Sequence, residues 1–464
     1  MATFYRRKCS WLFGIIILIP SAFIWAQEKT ITLSEFVAAS KNYYPSIQQK
    51  RALVNSAKAY TTDIRHSFLP QLRISEQLNV STDNSLAGSY LPIGITPSSS
   101  AGIRNQNDMQ AATGNLGILY GEYALVNFGY NKAQLNSANA ITQFQEADYS
   151  REVYDAELIV ARNYFQLLKV QNRLNVDREN IDRYQSVFNV IKSLSKSGLI
   201  AGADSSLAMA ELSKAKMNYN QTAGILVQLK IEIAGLTGIP LTDVKIAQLK
   251  DAPNVFRPIF PNLIEDSISN PLIQFYQKRR EIFEANERLI KKAYLPKIIL
   301  AGSTWARGSS IQYNDQFKSL GSGLGYQRFN YAIGIGVSYP LLNGLFKKDK
   351  LAINRYQMQA SDFELQNQKL ALKTGLSQAD AALNTNELNL LELPNQLKAA
   401  QDIYHQKMAQ YKAGIISLID LTNASFVLYR SQTDYLEVVT DWYQAQLSKS
   451  AYAGTLEQFI QSIK

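Results

Sequence analysis

Apolar residues recur every seven positions along two long stretches of the chain. Leu376, Leu383, Leu390, Leu397, Tyr404 and Tyr411 form one row, and Val160, Leu167, Leu174, Ile181, Phe188 and Ser195 form the other. The rows align residue for residue at an offset of 216. A seven-residue period kept in phase by two copies predicts helices that supercoil left-handed against neighbours. The stretches 131–196 and 347–412 hold 66 residues each, so at about 1.5 Å per residue each helix reaches roughly 100 Å. Pro394 lies inside the second stretch and predicts a kink or local underwinding there rather than an end.

The period changes from seven to two between these helices and the shorter ones before them. Tyr331, Ile333, Ile335, Val337 and Tyr339 alternate with Ala332, Gly334, Gly336 and Ser338, while Leu72, Ile74, Leu78 and Val80 alternate with Arg73, Ser75, Gln77 and Asn79. Such segments have one apolar face and one small or polar face, at the ten-residue length of a strand crossing an outer membrane. Glu76 interrupts the apolar row and suggests proximity to an interface. A soluble β-sandwich hairpin accounts equally well for the strands taken alone. Segments 86–111 and 306–326, rich in Gly, Ser, Pro and Asn, read as exposed loops.

These elements form a tandem duplication. Pro45 and Pro70 match Pro271 and Pro296 at an offset of 226, with Leu69-Pro70-Gln71-Leu72 facing Leu295-Pro296-Lys297-Ile298. Leu125-Val126-Asn127 matches Leu341-Leu342-Asn343, and Lys196 to Asp204 matches Lys412 to Asp420, both at 216. The ten-residue difference places an insertion between Pro70 and Leu125. The first unit, 27–250, comprises a short helix at 34–68, strands at 70–82 and 114–127, the long helix 131–196 and a returning helix at 204–236. The second, 251–464, repeats this as a helix at 261–294, strands at 296–305 and 328–340, the long helix 347–412 and a helix at 420–452. The fold class is therefore mainly α with a β-barrel part.

Composition narrows the chemistry. The chain has 464 residues, with one Cys and two His. His66 and His405 lie far apart, and Cys9 is the single thiol, so one chain assembles neither a His/Cys metal cage nor a Cys/His nucleophile pair. No catalytic residue, metal site or cofactor is expected. Arg6, Arg7 and Lys8 precede the apolar run Trp11–Ile19, the layout of a signal peptide over residues 1–26, cleaved near Ala26. A retained signal anchor is the alternative, although the run is shorter than a membrane span. The formal charge of +10 falls by three without that segment. With no dense basic patch and with export expected, nucleic acid is not an expected partner. No other stretch is apolar enough to cross a membrane as a helix, so any membrane entry requires a β-barrel. The glycines Gly321, Gly323, Gly325, Gly334 and Gly336 do not follow a dinucleotide-binding pattern, and no βαβ unit follows them.

Half helix, hairpin, long helix and returning helix, twice over behind a signal peptide, resemble the TolC-type outer-membrane efflux and secretion channel family. The marks are Asn42-Tyr43-Tyr44-Pro45, Leu69-Pro70-Gln71-Leu72, the turns Gly198 to Asp204 and Tyr411 to Asp420, and Leu236-Thr237-Gly238-Ile239-Pro240. The resemblance implies a homotrimer in outer-membrane lipid: a 12-stranded barrel, four strands per chain, above a helical barrel in the periplasm. It implies passive export of small molecules or polypeptides with a periplasmic adaptor and an inner-membrane transporter, and no enzymatic step. The family's gating tyrosine matches Tyr411, the aspartate it bonds matches Asp204, and the constricting aspartate matches Asp420. The second constricting aspartate falls on Asn423 and the gating arginine on Ile416, so a full set of salt bridges is absent from the pattern. N-capping of the returning helices is the other role open to Asp204 and Asp420. The tips Gly198-Leu199-Ile200-Ala201 and Gly414-Ile415-Ile416-Ser417 correspond to the adaptor contact, with plain turn packing as the alternative. A coiled-coil structural protein without a pore is the competing class; it explains the heptads but not the paired strands.

Overall fold

The computed structural model describes residues 30–85, 103–197, 201–246, 270–313 and 315–463. The expected signal peptide and the junction between the two units, at 250/251, lie outside them.

The first unit opens with α1 (Leu33–Tyr43) and α2 (Pro45–His66), continues through β1 (Gln71–Ser81), β2 (Ala112–Val126) and α3 (Tyr130–Lys196), and ends with α4 (Gly202–Thr237). The second contains α5 (Pro271–Ala293), β3 (Lys297–Ser309), β4 (Arg328–Ser338), α6 (Asn343–Lys412) and α7 (Leu418–Ala453), with a short α8 (Leu456–Ser462). The single helix expected over 34–68 is two helices. Thr32 starts α1 through a capping box with Glu35, and the chain leaves the helix at Tyr44, whose backbone is extended. Pro45 is the cause, because a residue before proline is pushed out of the α region and proline suits the first helical position. Pro271 begins α5 in the same way behind the extended Asn270, whose side chain accepts the Leu272 N–H. Of the helix expected at 261–294, residues 261–269 lie outside the described part.

Helix α3 runs unbroken for 67 residues and α6 for 70, the latter straight through Pro394. Both returning helices have 36 residues, and each ends on a left-handed glycine, Gly238 at φ +70° and Gly454 at φ +79°. In the half near the sheet, α3 packs between α2 and α5, and α5 packs on α6. In the half near the turns, α3 packs between α4 and α7, and α7 packs on α6. The two repeats therefore interlock as a layer of helices whose free edges are α2 and α4 on one side and α6 on the other. A cluster midway along the rods, including Phe36, Tyr164, Phe165, Tyr443 and Phe459, is the main core. A second cluster at the turns contains Ile191, Ala208, Leu418 and Leu421.

The strands form one antiparallel sheet in the order β1-β2-β3-β4. β3 reaches Ser309, so the beginning of the segment expected as a loop at 306–326 is strand. The pairing of Leu119 with Thr304, and of Thr304 with Tyr331, fixes which side chains share a face. Leu72, Ile74, Leu78 and Val80 of β1, with Phe329, Tyr331, Ile333, Ile335 and Val337 of β4, line one face and are 60–84% exposed. The opposite face carries Arg73, Ser75, Gln77, Tyr120, Ser303, Ala332, Gly334 and Gly336. β1 and β4 each leave a backbone edge unpaired within the chain.

Candidate functional site

The turn joining α6 to α7 is built by helix-end chemistry. Gly414 takes φ +72°, its N–H donates to the Tyr411 carbonyl at 3.0 Å, and the Ile415 N–H donates to the Gln410 carbonyl at 3.0 Å. This double closure needs a residue free to adopt positive φ, which glycine supplies without steric cost. Three residues on, Ser417 begins α7. Its hydroxyl oxygen accepts the Asp420 N–H at 3.3 Å, and Asp420 Oδ2 accepts the Ser417 N–H at 3.2 Å and the Ser417 hydroxyl at 2.7 Å. Asp420 is thus the third residue of a capping box rather than the cap itself. The Ser417 hydroxyl, followed by its backbone N–H, holds the Asp420 carboxyl below the usual aspartate value while it remains in solvent. Asn423, one helical turn on, is exposed on the same face. Ile415 projects into solvent and Ile416 is half-buried.

At the other turn, Gly198, Leu199 and Ile200 lie outside the described residues. Ala201 is the residue preceding α4, and no side-chain cap is formed there. Asp204 sits in the first turn of α4, half-buried, at the position that matches Asp420. The structure brings it to the second repeat's turn: burial, and then the Asp204 charge, raise the proton affinity of the Tyr411 hydroxyl. No hydrogen bond joins the two among the described residues. Tyr411 packs against the cluster at the turns, which couples both helix pairs.

The pattern of the sequence missed a polar tie higher on the rods. Asp177 of α3 is 1% exposed; its carboxylate accepts the Thr222 hydroxyl of α4 at 2.5 Å and the Tyr429 hydroxyl of α7 at 2.7 Å. Nearby, Arg183 donates to Gln432 of α7 at 3.1 Å and lies 6.0 Å from the Tyr404 ring. Burial lowers the proton affinity of Arg183 and raises that of Tyr429, the latter reinforced by its bond to Asp177. The signal was present: Val170, Asp177, Tyr184 and Ile191 are seven apart and all buried. At the 216 offset, Asp177 stands where the second repeat has Leu393. Asp177→Ala is expected to leave the Thr222 and Tyr429 hydroxyls without their acceptor, at a cost of about 1–3 kcal/mol. Thermal melting of the detergent-solubilised protein checks this, and Asp177→Leu is expected to fall equally because it also removes the acceptor.

A two-edged sheet with a bare apolar face, carried on a two-edged layer of helices about 100 Å long, has the form of one segment of a tube. No helix among the described residues is long and apolar enough to cross a membrane. The chain belongs to the outer membrane efflux protein family, whose pattern it matches over residues 39–239 and 266–455. It is an outer-membrane efflux protein with the fold of solved outer-membrane channels. Among solved structures it is similar to the Campylobacter jejuni CmeC outer membrane channel, with a TM-score of 0.74 at 14% identity over 93% of this chain and 90% of that one. The outer membrane protein VceC from Vibrio cholerae gives 0.71 at 14% identity, over 91% and 96%. The open state of the Neisseria gonorrhoeae MtrE outer membrane channel gives 0.69 at 17% identity, over 91% and 89%. Comparison with the curated proteins found no match.

Proposed function

We propose that three copies of this chain close into one conduit, a 12-stranded barrel in lipid continued by a helical barrel in the periplasm. It passes small molecules or polypeptides outward without catalysis, in concert with an adaptor and an inner-membrane transporter. Channels of this family are trimeric and in general work with such adaptors and pumps. The observation that carries the proposal for this chain is that both layers are open at the same two edges. β1 and β4 lack outer partners, and the helix edges expose apolar rows at heptad spacing. On α2 these are Leu53 and Tyr60; on α6 they are Tyr356, Phe363 and Leu370, each at least 60% exposed. Unpaired strand edges do not persist in lipid, and exposed heptad rows call for neighbouring helices. One cyclic operation that joins β4 to β1 and α6 to α2 and α4 covers both.

The periplasmic mouth is then formed by the two turns. Three Asp420 carboxylates ring the axis, with Asn423 one turn behind them, and Tyr411 and Asp204 hold the helix pairs together. Ala201, Gly414, Ile415, Ile416 and Ser417 present the adaptor surface. A poreless coiled-coil scaffold leaves the lipid-like face of the sheet unexplained. The test is purification in detergent followed by reconstitution into planar bilayers. A heat-modifiable trimer with stepwise conductance is expected; a protein that inserts without conductance refutes the conduit.

A further inference from the structure

We propose that the lumen face of the sheet carries an anion-binding collar, formed by Arg307 and Arg328, for solutes bearing carboxylate or phosphate groups. The collar rests on the barrel reading above. Arg307 of β3 and Arg328 of β4 are directly opposite in the register. Strand parity puts them on the face of Trp305 and Asn330, away from Phe329 and Ile333, so in a closed barrel both point into the lumen. Both side chains are exposed, near the end of the sheet remote from the helices.

Like charges facing each other across a strand pair destabilise it. Here nothing relieves the conflict: among the described residues neither arginine forms an ion pair, and the one hydrogen bond from either guanidinium runs from Arg328 to the Gln327 carbonyl at 2.9 Å. Their row on β1 and β2 is Gln77 and Leu116, both uncharged. The nearest carboxylate along β1, Glu76, is on the opposite face, where the Tyr326 hydroxyl reaches it across Gly117. That glycine leaves the space, because a Cβ there would run into the Tyr326 hydroxyl. The acid is therefore kept on the lipid side by a contact of its own, and the arginines are left to the lumen. Among the described residues most of their ten N–H donors have no acceptor, and they stand in the planar fork that fits carboxylate and phosphate oxygens. Three chains place six guanidinium groups at one level of the pore, the arrangement that selects anions in narrow passages. A local conflict kept without internal compensation is expected where a ligand supplies the missing charge.

The experiment is block of single-channel current by inositol hexakisphosphate, added to one compartment at a time. Wild-type current is expected to be blocked, and in R307Q/R328Q the half-blocking concentration is expected to rise roughly tenfold or more. Block from the periplasmic side identifies an exported anion as the natural occupant, and block from the outer side an external one; either supports the collar. R307K/R328K keeps the charge but loses the fork, so it is expected to fall between the two. If R307Q/R328Q yields no channels, single R328Q is read instead and must weaken block by a smaller factor. Channels that conduct but are blocked equally in every variant overturn the collar alone, whereas a wild type with no conductance overturns the barrel together with it.

Discussion

Ile333→Arg is expected to abolish most of the trimer in outer-membrane fractions, while Ala332→Arg on the adjacent residue leaves it close to wild type. The two positions differ only in which face of β4 they occupy. Ile333 is 75% exposed in the isolated chain and lies halfway along the strand, on the face shared with Tyr331 and Ile335. An arginine near the bilayer midplane costs about 2–4 kcal/mol on the lipid side of a barrel, whereas lumen positions accept charge. Three copies multiply the first cost, and loss of the neighbouring strand contact adds to it. Ala332 shares its face with Ser303, Tyr120 and Arg73, a row already polar. Gel migration of membrane fractions with and without heating measures the outcome. If Ala332→Arg is the damaging change, the faces are reversed and the lumen assignment of Arg307 and Arg328 fails with it.

The architecture was legible because it is periodic. Heptads in Val160, Leu167 and their counterparts 216 residues on, and the dyad in Tyr331 to Val337, each repeat a local rule often enough to be read without tertiary knowledge. Residues whose role is set by a partner far along the chain were not legible in this way. The break at Tyr44 has a local cause in Pro45, yet α6 continues past Pro394, whose missing N–H removes one bond of the ladder without ending the helix. Asp177 occupies an ordinary core position and acquires meaning only from Thr222 and Tyr429, 45 and 252 residues away. Glu76 interrupts an apolar row, and its partner there is the hydroxyl of Tyr326, 250 residues on. The turn residues occupy an intermediate case. Gly414, Ser417 and Asp420 encode their own local geometry, while the approach of Asp204 to Tyr411 is a product of how the two repeats interlock.

Asp420→Asn is expected to raise the permeability of anions relative to cations severalfold, measured as the reversal potential in a salt gradient across a planar bilayer. The argument depends on separating folding from conduction. Asparagine at this position retains an oxygen that can accept from Ser417, so the start of α7 survives and the turn keeps its shape. What disappears is one full charge per chain at the narrowest part of the proposed mouth. Because the exposed residue one helical turn on is the neutral Asn423, it supplies no second carboxylate to replace the lost charge. The mouth also lies in series with the arginine collar at the other end, and the narrower element dominates selectivity, so removing the carboxylates exposes the collar's preference for anions. The pH dependence gives an independent check. A carboxyl held below its ordinary value by hydrogen bonds stays ionised as pH falls past the unfolded value and loses its charge only at its lower folded value. Wild-type cation preference is therefore expected to persist at pH 3.8, where an unperturbed aspartate is half-protonated, and the Asp420→Asn channel is expected to show no such titration. Equal reversal potentials for the two proteins across this range place Asp420 outside the conduction path.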